Sequence, residues 1–213
     1  MFFEPREQPS SIQRPTTRRE EPAWLQPPAD SFGGVIPLHE AVARSEDAII
    51  VFSEVRAYAE GCVLDVTAKL RRGEKLKDDW LGSPESKFFE TLTSHHYARE
   101  SPIPDELLRI GVQFQDGSKA TTLEYHLFHY HNGQHLPEGK PLLIPVRGYG
   151  WSVRRDVLSI HDPLWLTPNP PGEFFDLVIE WPAAGIPETR HRVDGRAIRD
   201  AARHAAPYWP DVR

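Results

Sequence analysis

From Ala48 to Arg71, apolar and polar positions alternate with a period of two, the spacing of strands whose two faces meet different surroundings. In the second half of this stretch Cys62, Leu64, Val66, Ala68 and Leu70 share one face, and Val63, Asp65, Thr67, Lys69 and Arg71 the other. In the first half Ile49, Val51, Ser53, Val55 and Ala57 are set against Ile50, Phe52, Glu54, Arg56 and Tyr58. Glu60-Gly61 between the halves predicts a hairpin turn, with Gly61 free to take a positive φ. A sheet wet on one face needs a second layer over its apolar face.

The rest of the chain supplies that layer. Val35, Ile36 and Leu38 predict a short edge strand, because Pro37 is tolerated only at an edge or a bulge. Leu108, Ile110, Val112 and Phe114 predict a strand ending at the Asp116-Gly117 turn, with a return through ATTLEYHLFHYH. PLLIPVRG, WSVRRDVLSI and PLWLTP follow, and GEFFDLVIEW turns Phe175, Leu177, Ile179 and Trp181 inward. ETRHRV reads as a wetter strand. About eight short strands rich in turns point to an all-β, antiparallel β-sandwich of Ig-like or C2-like character, with Trp151, Trp165 and Trp181 in its core or rim.

Two helices interrupt this pattern. Residues 72–105 lose the alternation, and within them Ser83-Pro84 predicts a helix near 84–96 with Phe88, Leu92 and His96 on one stripe. An excursion of this length is a place to look for activity. Asp194 is the N-cap of a C-terminal helix over 194–206, with Ile198, Ala201, Ala202 and Ala205 along one side. Tyr208 and Trp209 are expected to fold back on the body. The folded domain spans 31–213.

Composition bounds the rest. The 21 prolines among 213 residues include six before residue 30, so residues 1–30 predict a flexible or polyproline-like tail. Within it Phe2, Phe3, Trp24 and Leu25 are apolar: Trp24 and Leu25 pack where the tail joins the domain, or these residues anchor a partner. A net charge of −6 argues against general nucleic-acid affinity. One cysteine excludes an internal disulfide, which points to a reducing cytoplasm. The N-terminus has no signal-peptide pattern and no apolar run approaches a membrane span of roughly 20 residues.

The chemistry-bearing positions are few. Neutral imidazoles bind divalent transition metals, and His129 and His131, two apart on a strand, point to one face with His135 and Glu138 following. An H-x-H pair with a later glutamate resembles half of the cupin metal motif, although the glycine ahead of the pair is absent and no second half-motif follows. The competing reading leaves these histidines exposed and unliganded at a strand end. Cys62 alternates with Leu64 and Val66, which makes it an inert core thiol. Arg196, Arg199 and Arg203 line the C-terminal helix and offer a contact for an acidic partner, or simply a solvated face. No nucleophile elbow, phosphate-binding loop or outstanding carboxylate pair is present.

The hairpin ending in VTAKLRRG, the segment LRIGVQFQDG and the stretch FFDLVIEWPAAGIPETRHRVDG resemble an uncharacterised group of β-rich proteins from high-GC bacteria. The resemblance implies a β-rich domain and brings no activity, ligand or catalytic residue. With no catalytic constellation and no cofactor implied, the sequence predicts a non-catalytic binding or accessory module acting through protein–protein contacts. Two alternatives stand beside it: a metal-dependent, cupin-like enzyme on the His-rich strand, and a structural subunit docked through its N-terminal tail.

Overall fold

The computed structural model describes residues 24–71, 103–124, 140–146, 150–154 and 157–209. These residues form an all-β molecule with antiparallel sheets and one α-helix. A six-stranded sheet takes β2 (Gly34–Arg44), β3 (Ala48–Ala57), β4 (Cys62–Arg71), β9 (Val157–Thr167) and β7 (Leu142–Pro145) in that order, with β8 (Gly150–Arg154) also paired to β9. A four-stranded sheet is ordered β11 (Ile186–Asp194), β10 (Phe174–Trp181), β5 (Arg109–Phe114), β6 (Lys119–Thr121). A two-residue ribbon pairs β1 (Ser31–Phe32) with β12 (Ala206–Pro207). Among the described residues no helix is long and apolar enough to cross a membrane.

The core lies between the two larger sheets. Phe52, Leu64, Val66, Leu164 and Leu166 of one sheet join Ile110, Phe175, Leu177 and Trp181 of the other in one buried cluster. Each such side chain contributes about 1.5–3 kcal/mol on leaving water, which makes the alternation along each strand the driving force for the fold. On β4 and β10 the inward faces are the ones that the alternation predicts.

On β3 the structure corrects the prediction. A β-bulge shifts the register between Phe52 and Glu54, so Ser53 and Glu54 both lie on the outer side. Ala48, Ile50, Phe52, Val55 and Ala57 are therefore the buried set, and no single alternating series describes the strand. The β3–β4 loop runs through Tyr58–Gly61 and is closed by Tyr58 N donating to Gly61 O at 2.8 Å. Gly61 does not have a positive φ. Glycine is needed there because a Cβ would press into the Leu166 carbonyl and the Trp165 ring of β9.

β2 is an edge strand, as Pro37 requires, but runs to eleven residues and is broken by register shifts around His39, whose φ is 53°. These irregularities and the proline blunt a long edge. β9 is a single strand of eleven residues that continues through Pro163, where the sequence suggests two segments. Its partner on one side changes there from β8 to β7. Val146 N donates to Pro163 O at 2.8 Å, and proline has no N–H to return, so one ladder bond is lost and the strand survives.

The helix, α1, covers Gly195–Ala202 and packs against β2, β3 and β10. Asp194 caps it as predicted, its carboxylate accepting from Arg196 N at 2.8 Å and Ala197 N at 3.1 Å. The helix ends at Ala202, short of the predicted 206, because the chain turns to pair β12 with β1. The helix predicted near 84–96, the Trp151 side chain and most of the 72–105 excursion lie outside the described residues.

Candidate functional site

Two surfaces have a composition unlike the rest of the described molecule. The first is built where the two ends of the domain meet. Ser31 and Phe32 pair with Pro207 and Ala206, and Tyr208 N donates to Asp30 O at 2.8 Å. The backbone thus folds back as the sequence predicts, but the rings do not enter the core. Phe32, Tyr208 and Trp209 are 47%, 52% and 64% exposed. Their ring centroids lie 5.5 Å apart for Phe32–Tyr208 and 5.8 Å apart for Tyr208–Trp209. Three aromatic rings in series on the outside are uncommon among scattered surface apolar residues, which need no explanation singly.

This strip stands on a firm base. Gly33, next to Phe32, lies so close to Tyr58 that a Cβ there would sit 3.0 Å from its ring. Tyr58 is buried and meets Trp165 edge-on, with centroids 5.8 Å apart. Burial raises the Tyr58 phenol above its ordinary range, and Arg56 offsets part of that rise. Tyr58, Val63, Leu142, Ile144 and Trp165 form a second apolar cluster on the outer face of the six-stranded sheet. Trp24 and Leu25 pack against it, and the Trp24 carbonyl accepts from the Trp165 indole at 3.0 Å. Through these contacts Trp24 and Leu25 fasten the chain to its own domain.

The second surface is a groove of about 210 Å³ on the outer face of the four-stranded sheet. Gly111, in the middle of β5, leaves its floor without a side chain, and Thr121 and Val178 stand beside it in register. At one end Arg109 pairs with Glu180 at 2.5 Å and donates to the carbonyls of Ile103 and Pro104. Towards the other end Arg190 bonds Glu188 at 2.9 Å and Gln113 at 2.6 Å, and Lys119 reaches the rim.

The arginines singled out on the helix all have local acceptors. Arg196 pairs with Glu173 at 3.1 Å and Arg203 with Asp200 at 3.3 Å. Arg199 donates to the carbonyls of Pro170 and Gly172, tying α1 to the β9–β10 loop. Cys62 is fully buried, and that burial pushes its thiol well above the ordinary value, as expected of an inert core cysteine.

His129, His131, His135 and Glu138 lie outside the described residues, as do Phe2 and Phe3. Among the described residues no group of three or more His, Cys, Asp or Glu is placed to share a metal ion. Elsewhere His161 Nε2 lies 2.9 Å from Asp65 on the outer face of the six-stranded sheet, with Arg56 3.7 Å from the same carboxylate.

Sequence reasoning misses Phe32 and the groove. Phe32 gains meaning only through pairing with residues far along the chain. Gly111 did leave a signal, being an isolated glycine within the alternating run Leu108–Phe114. The chain matches no protein-family model, no curated protein and no solved structure to which it was compared.

Proposed function

We propose that the domain is a non-catalytic binding module that docks a protein partner through the aromatic strip Phe32–Tyr208–Trp209. The observation that supports this reading is the strip itself: three adjoining rings, 47% to 64% exposed, on a base formed by Gly33 and Tyr58. Tyrosine and tryptophan are enriched at protein interfaces because they bury a large rigid area at little cost in side-chain entropy. A partner covering the strip removes apolar surface that folding has left wet.

The same proposal takes the two sheets as a sandwich of Ig-like or C2-like character. In support, β4 pairs with β9 in one sheet while their successors β5 and β10 pair in the other. It places the protein in the cytoplasm, where a lone buried thiol remains reduced. Quantitative affinity capture with the full chain and with a Tyr208→Ser/Trp209→Ser variant tests it. One protein should be enriched by the full chain and lost with the variant, while circular dichroism of the two stays the same. Equal enrichment by both would refute the reading.

A further inference from the structure

We propose that the segment taken by the aromatic strip is proline-rich, in the polyproline II conformation, and belongs to another protein, an inference that rests on the strip being a docking surface. Area sets the size of the occupant. An aromatic side chain carries about 150–250 Å², and Phe32, Tyr208 and Trp209 are 47%, 52% and 64% exposed. The strip therefore offers roughly 300 Å² of apolar surface. A standard interface takes about 800 Å² from each side, more than half of it apolar. A second copy or a globular face asks for more than the strip holds; a short linear segment does not.

Hydrogen-bond capacity sets the chemistry. Among the described residues the Tyr208 hydroxyl and the Trp209 indole N–H have no partner in the protein and are left to water. A segment that covers them removes that water and must return an acceptor to each, because an enclosed donor left unpaired is costly. A helix brings carbonyls already engaged within it. A strand brings an N–H for every carbonyl, and the three side chains offer those N–H groups only the Tyr208 oxygen. Polyproline II has no internal hydrogen bonds, so its carbonyls are available, and proline has no N–H to satisfy. Its preformed backbone also loses little entropy on docking against aromatic rings. Length sets the spacing. Successive centroids 5.5 Å and 5.8 Å apart limit the strip to about one turn. That turn is roughly 9 Å long and presents residues three apart on one face. Pro5, Pro9, Pro15 and Pro22, ahead of Trp24, include no pair three apart, so the chain's own N-terminal segment lacks this pattern.

The test is an NMR titration of the ¹⁵N-labelled full chain with acetylated decaproline amide, a Gly-Ser decamer, a strand-forming peptide of alternating threonine and valine, and a synthetic peptide of residues 1–23. Decaproline should saturate with a Kd on the order of 0.1–1 mM, moving the Trp209 indole N–H and the amides of Phe32 and Tyr208. Tyr208→Phe, which removes only the hydroxyl, should weaken it by about fivefold, and Trp209→Ser by about tenfold or more, with shifts remote from the strip unchanged. The proposal is overturned if decaproline never saturates, if both variants bind it as the wild type does, or if the Gly-Ser or strand-forming peptide binds as tightly. Tighter binding of the 1–23 peptide would assign the strip to the chain's own N-terminal segment. Strip resonances that move on dilution without peptide would assign it to a second copy. Either result overturns the proposal. Decaproline is also added to the affinity capture. A protein lost with Tyr208→Ser/Trp209→Ser but retained against saturating decaproline would overturn the proline-rich assignment alone and leave the strip as a docking surface.

Discussion

Asp162 stands on the core face of β9 between Ile160 and Leu164, opposite Val66 of β4. Burial pushes its carboxyl up from 3.8 to about 7, an effect that His161 partly offsets. The residue keeps some exposed surface, so the cost of ionising it falls short of that of a sealed carboxyl. A carboxylate with a folded pKa above its unfolded one holds its proton more tightly in the native state. Its contribution is therefore fully present below about pH 4 and is lost as the pH rises to about 7. Asp162→Asn should match the wild type near pH 4 and exceed it by roughly 2–4 kcal/mol at pH 8 in urea denaturation. Equal stabilities at both pH values would contradict this placement. Position 162 was not legible in the sequence, since one polar residue among IHDPLW does not announce which face it takes. Ser53 is similar: nothing in AIIVFSEVRA marks the extra residue that reverses the faces of β3.

Elements were more legible than their ends. The alternation of β4, β5 and β10 emerges from the sequence because the core-facing positions of each recur at every second residue, without interruption by a bulge. The start of α1 was equally plain, as an aspartate beside a glycine before an amphipathic run. Asp194→Ala should cost about 1 kcal/mol in thermal or urea unfolding, because two backbone N–H groups lose their acceptor. No cost would mean that the cap is replaced by solvent. The end of α1 and the course of β9 through Pro163 depend on partners distant in sequence. Gly34 shows the same limit. A Cβ on this β2 residue would press into the Ala201 carbonyl of α1, so Gly34→Ala should cost about 2 kcal/mol or more by displacing the helix. A stability unchanged by that substitution would contradict the packing of α1 on β2.

At the scale of the whole molecule, the two chain ends of the described domain meet in the β1–β12 ribbon, and the aromatic strip exists only through that meeting. Tyr208 and Trp209 could be read from the sequence as a C-terminal aromatic pair. That Phe32 joins them, and that their rings stay wet, could not. Since the Tyr208 and Trp209 rings are half exposed or more, Tyr208→Ser/Trp209→Ser should change unfolding free energy by no more than about 0.5 kcal/mol. A larger loss would make the strip part of the fold's own packing. The most direct measurement is site-specific photo-crosslinking, with benzoylphenylalanine placed at position 209 and, as a control, at the exposed Arg71 at the far end of β4. The account predicts one discrete protein adduct from position 209, absent from position 71 and lost when Phe32→Ser is added. Adducts equal in amount at both positions, or none at 209, would contradict it.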